Sequence, residues 1–136
     1  MIFSIIITTY NYEKYIIESI DSALNQDFLG EYEVIVVDDC STDNTQLILN
    51  SYDSIVRVNN EMNLGLEVSA NNGIKKAGGK YVVRLDADDY LEENFLSEMS
   101  KHIENEDTFY YGNYTSVSKN GLHLSKVNLT DFDKNE

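Results

Sequence analysis

Cysteine occurs once, at Cys40, so no intrachain disulfide can form, and neither a disulfide-stapled scaffold nor a cysteine-rich zinc site is available. Proline is absent, which by itself excludes nothing. Basic residues are few: Lys and Arg total 10 against 24 Asp and Glu, a net charge of −14. A field of that sign repels polyanions and argues against nucleic acid or acidic lipid as a partner. It opposes a diphosphate too, unless a bound cation lies between the phosphates and the carboxylates. Long hydrophobic runs are also missing. The run Ile2, Phe3, Ser4, Ile5, Ile6, Ile7 is too short to cross a bilayer and follows no basic segment, so it reads as neither signal peptide nor membrane anchor. A reducing cytoplasm is the simplest location, or the cytoplasmic face of a membrane for a longer parent protein. The sequons at Asn113 and Asn128 are then accidental.

What is present is ordinary globular material, 42% hydrophobic and 25% charged. The 136 residues fit one domain, which at this size buries roughly two-thirds of the unfolded chain's surface. Apolar β-branched runs alternate with amphipathic stretches, the pattern of a mostly parallel sheet covered by helices. Four such units are expected. A strand over 3–9, isoleucine-rich enough to be buried on both faces, leads to a helix from 13 with Asn11 as its N-cap. That helix turns Ile16, Ile17, Ile20, Ala23 and Leu24 to one face.

A second strand over 33–38 runs into Asp38-Asp39-Cys40-Ser41-Thr42-Asp43 and a helix carrying Leu47, Ile48 and Leu49. A short third strand over 55–58 precedes a helix over 67–77, weakened by Gly73 and ended in left-handed fashion by Gly78-Gly79. The fourth strand, 81–85, ends in Asp86-Ala87-Asp88-Asp89, and a helix over 92–104 follows with Phe95, Leu96, Met99 and Ile103 inward. From 108 the alternation of Tyr and Thr, then Asn120-Gly121, predicts a hairpin reaching about 126. The organisation expected is one domain over 1–127 with a polar tail over 128–136.

In an open parallel sheet, ligands bind outside the carboxyl ends of the strands. Three strand ends here are polar: Thr8-Thr9-Tyr10-Asn11, Asp38-Asp39-Cys40-Ser41 and Asp86-Ala87-Asp88-Asp89. Carboxylates converging on one rim repel one another unless a cation or a hydrogen-bonding ligand joins them. Hard oxygen donors spaced Asp-x-Asp suit Mg²⁺ or Mn²⁺, ions that bind with few protein ligands and complete their shell with substrate phosphate. Any one of Asp38, Asp39, Asp86 and Asp88 is more simply read as a helix or turn cap. Both clusters together favour the cation.

The order Ser4-Ile5-Ile6-Ile7-Thr8-Thr9-Tyr10-Asn11, Val36-Val37-Asp38-Asp39-Cys40-Ser41-Thr42-Asp43, Asn63-Leu64-Gly65 with Asn71 and Gly73, then Asp86-Ala87-Asp88-Asp89 resembles family 2 glycosyltransferases over residues 2–96. The resemblance implies a truncated GT-A fold: an α/β, Rossmann-like three-layer α/β/α sandwich with a mostly parallel central sheet. It also implies inverting transfer from a nucleotide-diphosphate sugar, most simply UDP-linked, with Mn²⁺ or Mg²⁺ as cofactor. By the same resemblance Thr8 contacts the base, Tyr10 packs on it, Asp39 accepts from a uracil-type ring N–H, Asp86 serves the ribose and Asp88 the metal. Two of these roles make independent sense, since a tyrosine face stacks on any nucleobase and a carboxylate selects a base edge that donates.

Three positions depart from the family pattern. Cys40 stands where glycine is frequent and Thr8 where proline is, changes expected to be mild provided the turn needs no positive φ. Ala70 stands where a basic residue often precedes Asn71, which leaves diphosphate binding to the metal. Arg84 reads as a sheet-face or surface residue, and Lys75 and Lys76 as a solvated helix face. The general base that inverting transfer requires lies beyond the matched portion. Asp131 and Asp133 read as solvated charge, so no catalytic residue is assigned and the acceptor is unknown. The chain is expected to be a donor-binding portion that binds nucleotide and transfers poorly alone.

Competing readings are a sugar-nucleotide pyrophosphorylase, a phospho-acceptor signalling module and a non-catalytic domain of the same fold. The first normally opens on a glycine-rich loop, absent from residues 1–12. The second needs its acidic pair after the first strand.

Overall fold

The computed structural model describes residues 1–103, 114–118 and 123–127. The chain divides into two compact units, Met1–Ser100 and Lys101–Glu136. In the first unit a four-stranded parallel sheet has the order β3-β2-β1-β4, built from β1 (Phe3–Thr9), β2 (Tyr32–Asp38), β3 (Val56–Asn59) and β4 (Tyr81–Asp86). Helices α1 (Ile16–Leu24), α2 (Thr45–Leu49) and α3 (Leu66–Lys76) connect them, and α4 (Phe95–His102) follows β4. The described part of the second unit is β5 (Tyr114–Val117) paired antiparallel with β6 (His123–Val127). The Asn120-Gly121 turn and the polar tail over 128–136 lie outside the described residues.

Because β1 sits inside the sheet and is covered on both faces, all seven of its residues are buried, as its run of isoleucines predicts. Ile6, Ile35 and Val37 form the core on one face with Val58 and Ala77. Ile5, Ile7, Val34 and Val36 point the other way and are equally buried. Each fully buried isoleucine is worth roughly 1.5–3 kcal/mol. On α1 the inward residues are Ile16, Ser19, Ile20 and Ala23, whereas Ile17, expected on the same face, is exposed. Of the three apolar residues expected on α2, only Leu49 is buried and Leu47 is exposed.

Two cap assignments are corrected. Asn11 does not cap α1, because a turn intervenes in which Tyr15 and Ile16 both donate to the Tyr12 carbonyl. The helix therefore begins later, at Ile16, with no side-chain cap. Nor does a left-handed glycine end α3: its last turn closes at Ala77 in extended backbone (φ −62°, ψ 128°). Gly79 is needed for another reason. A Cβ there would lie 2.6 Å from the Phe3 carbonyl carbon and the Ser4 nitrogen, so only glycine lets this segment cross β1.

The start of α4 is held from a distance. Buried Gln26 accepts from the Leu96 N–H (3.0 Å) and donates to the carbonyls of Glu92 (2.9 Å) and Ser22 (3.0 Å). It thus satisfies one of the N–H groups that a helix start leaves unpaired.

Gly73, which weakens α3 by propensity, is what seats it. A Cβ at Gly73 would come within 2.5 Å of Ile6 Cγ2 and 3.1 Å of Val37 Cγ2. Gly73→Ala should gain up to about 1 kcal/mol of helix propensity and lose about 1–3 kcal/mol to overpacking. We expect net destabilisation in urea unfolding; an unchanged or higher midpoint would show that the sheet yields at this contact.

Candidate functional site

The strand order reverses at β1: β2 and β3 lie on one side and β4 on the other, a topological switch point where an α/β sheet opens a crevice. Register sets the level of the rim. Thr9 pairs with Asp38 and Thr8 with Asp86, so the ends of β1, β2 and β4 meet at one height. The cleft there, of about 500 Å³, is lined by Thr8, Tyr10, Asp39, Asp86 and Asp88, the five residues singled out from the sequence. Thr9, Tyr12, Asn63, Gly65, Leu66 and Ser69 complete most of its wall. A larger, shallower hollow of about 660 Å³ lies beside α1 near Lys14, Asp21 and Tyr90, but no strand end reaches it. Convergence of strand ends, rather than volume, marks the first as the candidate site.

Both loops at the mouth turn through left-handed backbone, at Asn11 (φ 59°) and Cys40 (φ 66°). Asparagine tolerates this region, and Asn11 is used further: its carboxamide oxygen accepts from the N–H groups of Thr42 (2.7 Å) and Asp43 (3.3 Å). Glu13 completes the clamp, its N–H donating to Asp43 (3.1 Å) and its carboxylate accepting from the Asn44 N–H (2.9 Å). Tyr10, with its side chain partly exposed, is therefore presented from a loop fastened to the β2–α2 connection. The turn at Cys40 does require positive φ, so cysteine in place of glycine carries strain there.

The paired aspartates divide their work. Asp38 is fully buried and accepts from the Ser41 hydroxyl and N–H and from the Gln46 carboxamide (3.0 Å), which makes it an internal anchor of its loop. Asp39, 4% exposed, faces the cleft. It accepts from Asn60 Nδ2 (2.7 Å), the Leu64 N–H (2.9 Å) and the Gly65 N–H (2.8 Å). Desolvation pushes its pKa up, but the Leu64 amide, Asn60, the Gly65 amide and the Ser69 hydroxyl together outweigh that and hold it below the ordinary 3.8. Asp43 is lowered in the same way: desolvation is outweighed by donation from the Thr45 amide (2.9 Å) and the Glu13 amide (3.1 Å).

Across the cleft the balance reverses. Asp86 is half-exposed and paired with Arg84 (3.0 Å), which settles Arg84 as a surface residue serving the rim. Asp88 is exposed, with no hydrogen-bond or ion-pair partner among the described residues. Asp89 has its pKa raised by desolvation and then by repulsion from Asp88 and Asp86. Among the described residues no three metal-ligating side chains come together. The rim thus offers one or two carboxylates and a surplus of negative charge, which fits a hard divalent ion that takes most of its shell from water and ligand phosphate. The Thr8 and Thr9 hydroxyls are buried without a hydrogen-bond partner among the described residues, and Thr8 lines the cleft. Such groups are costly unless a polar ligand answers them.

Comparison with known proteins bears on this arrangement directly. The family profile described as "Glycosyl transferase family 2" matches residues 4–135. The chain belongs to glycosyl transferase family 2. Similar members include the poly(ribitol-phosphate) beta-N-acetylglucosaminyltransferase TarS of Staphylococcus aureus, 39% identical over 76% of this chain and 19% of that protein. Another is the putative teichuronic acid biosynthesis glycosyltransferase TuaG of Bacillus subtilis, 34% identical over 90% of this chain and 50% of that protein. The chain therefore spans at most about half the length of these relatives.

Solved family-like structures share its α/β GT-A architecture. S. aureus TarS 1–349 in complex with UDP-GlcNAc has a TM-score of 0.71 at 41% identity, covering 76% of this chain and 31% of that one. The mannosyltransferase PcManGT of Pyrobaculum calidifontis, in complex with GDP-Man and Mn²⁺, has a TM-score of 0.70 at 26% identity, covering 86% and 35%.

Sequence reasoning missed the residues that prop Asp39: Asn60, the Leu64 and Gly65 amides, and Ser69. Asn63-Leu64-Gly65 is visible as a motif, but nothing in the letters says that its backbone donates to a carboxylate about 25 residues earlier.

Two measurements test this account. Cys40→Gly should relieve about 1–2 kcal/mol of left-handed strain against about 0.5–1 kcal/mol of added chain entropy, a net gain of roughly 0.5–1 kcal/mol. Lower stability in denaturant would refute the strain assigned to this turn. Because Asp39 titrates below its ordinary 3.8, its ionised form contributes stability that is complete above that value and is lost as pH falls through the folded-state pKa. Asp39→Asn should therefore lower stability at neutral pH and flatten the acid limb of the stability profile. An acid limb as steep as the wild type's would assign that dependence to other carboxylates.

Proposed function

We propose that this chain is the nucleotide-sugar-binding portion of an inverting glycosyltransferase that uses a UDP-linked donor with Mn²⁺ or Mg²⁺ and transfers sugar to an acceptor hydroxyl. The observation that carries the reading is the cleft at the switch point. There an aromatic face (Tyr10), an orphan hydroxyl (Thr8), a buried carboxylate (Asp39) and an acidic turn (Asp86, Asp88) line one space.

Tyr10 supplies a stacking face for the base, a contact worth roughly 1–3 kcal/mol. Asp39 accepts from a ring N–H of the base and Thr8 donates to a neighbouring carbonyl. Asp86 takes the ribose and Asp88 holds the cation. That ion, when bound, neutralises the diphosphate and steadies it as a leaving group. The need for it follows from the chain's own charge. At −14, with Ala70 where the family often has a basic residue and Arg84 already paired with Asp86, few fixed cations face the phosphates. The acceptor and the general base are not assigned, and Asp131 and Asp133 lie outside the described residues.

UDP-GlcNAc in the TarS complex supports a uridine donor, while GDP-Man with Mn²⁺ in the mannosyltransferase shows that the architecture also hosts guanosine. No helix among the described residues is long and apolar enough to cross a membrane. The single cysteine suits a reducing compartment, the cytoplasm or, for a longer protein, the cytoplasmic face of a membrane.

Calorimetric titration decides the reading. UDP should bind with Mn²⁺ or Mg²⁺ present and on the order of tenfold or more weakly in chelator, a difference of about 1.4 kcal/mol. Asp88→Ala should abolish that difference. Equal UDP affinity with and without metal would count against the cation, and no UDP binding at all would favour a non-catalytic domain of the same fold.

A further inference from the structure

Asp39 is short of acceptor capacity. A carboxylate offers about four acceptor positions, two on each oxygen. Oδ1 takes two fixed donors, Asn60 Nδ2 at 2.7 Å and the Leu64 N–H at 2.9 Å, so it is full. Oδ2 takes the Gly65 N–H at 2.8 Å, and the Ser69 hydroxyl is the fourth donor to the carboxylate and the only one that can rotate. The position this hydroxyl uses is the one a ligand can claim, because the hydroxyl can turn away to release it while the other three donors are fixed. Asn60 is the fixed side-chain donor on Oδ1, and it is locked. Its Nδ2 also donates to Ser69 Oγ (2.9 Å), its Oδ1 accepts from Asn72 Nδ2 (3.0 Å) and its backbone N–H donates to the Asp38 carbonyl (2.9 Å).

We propose that Asn60, a residue outside the expected nucleotide-binding set, is a specificity-determining positioning residue: by filling Oδ1 it makes Asp39 a reader of a single ring N–H and so favours uracil over guanine. The inference rests on the nucleotide-sugar reading above and deepens it. Uracil presents one N–H flanked by two carbonyls, which matches the one position Ser69 can release and, on the same cleft, the unpartnered Thr8 hydroxyl as a donor. Guanine presents two adjacent, parallel N–H donors, an edge best met by both oxygens of a carboxylate at once. With Oδ1 full, one of those donors would be desolvated without a partner. A buried unmatched donor is rejected strongly. Removing the Asn60 carboxamide reopens Oδ1, and the backbone amides of Leu64 and Gly65 stay in place.

The experiment compares UDP and GDP affinities, by calorimetry in Mn²⁺, for the wild-type chain, Asn60→Ala and Asn72→Ala. The wild type should prefer UDP on the order of tenfold or more. Asn60→Ala should bring the two nucleotides close to parity, chiefly by raising GDP affinity. Asn72→Ala loosens the same network without vacating Oδ1, and should leave the ratio at its wild-type value. A ratio is insensitive to the fraction of folded protein, and GDP bound as well as UDP by the wild type would overturn the proposal without any variant. It is also overturned if UDP is preferred and Asn60→Ala keeps the ratio, or if both variants shift it equally; the nucleotide-sugar reading survives those results. Binding of neither nucleotide by the wild type would sink both.

Discussion

The carboxylate of Asp39 is the tie on which the rest of the site depends. It stands at the end of β2, nearly withdrawn from water, and it survives there ionised because the loop from Asn60 to Gly65 donates to it. The dependence is mutual. Those amides open α3, where helix geometry leaves N–H groups without partners, and Asp39 answers two of the loop's donors from outside the helix. One interaction thus joins the second strand to the third connection and braces the entry to α3 at the wall of the cleft. Asp38, its neighbour, faces the other way and is spent on Ser41 and Gln46. Alternation along an extended strand is enough to separate an internal anchor from a residue that faces the cleft.

Charge is arranged asymmetrically across this cleft. On the β2 side, Asp39 and Asp43 are surrounded by donors and are easily kept ionised. On the β4 side, Asp86, Asp88 and Asp89 crowd one turn with Arg84 as their only cationic partner among the described residues, and Asp89 is made harder to ionise by desolvation first and by its two neighbours second. Such a surplus is destabilising in isolation and useful next to a divalent ion, because electrostatic repulsion left uncompensated by the fold is available to the ligand. The two sides therefore differ in kind: a carboxylate with its charge met by fixed donors on one, and carboxylates with little compensation on the other.

Close backbone approach keeps the sheet and its connections tight enough for this geometry. Gly73 lets α3 rest on Ile6 and Val37, and Gly79 lets the chain cross Phe3 and Ser4. Positive φ at Asn11 and Cys40 folds the two mouth loops back onto each other, where Asn11 and Glu13 bind the amides of Thr42, Asp43 and Asn44. Tyr10 is held by this clamp rather than by burial of its own ring.

Much of the framework was legible in the residues because it follows from local periodicity. The run of isoleucines marked β1 as buried on both faces, and the polar ends of β1, β2 and β4 marked the rim. The four motifs in order identified the family, and all five residues carried over from it line one cleft. Where the reading failed, the deciding force was not local. Asn11 looked like a helix cap, yet its carboxamide serves a loop 31 residues on. Gly73 looked like a weakness, yet the opposing sheet requires it. The sequence by itself determined the strands, the family and the kind of chemistry at the rim, since these depend on side-chain pattern. Only the tertiary structure decided which aspartate is an internal anchor and which faces the cleft, and which groups donate to the latter. Hydrogen-bond valence is shared among groups that meet only when the chain is folded.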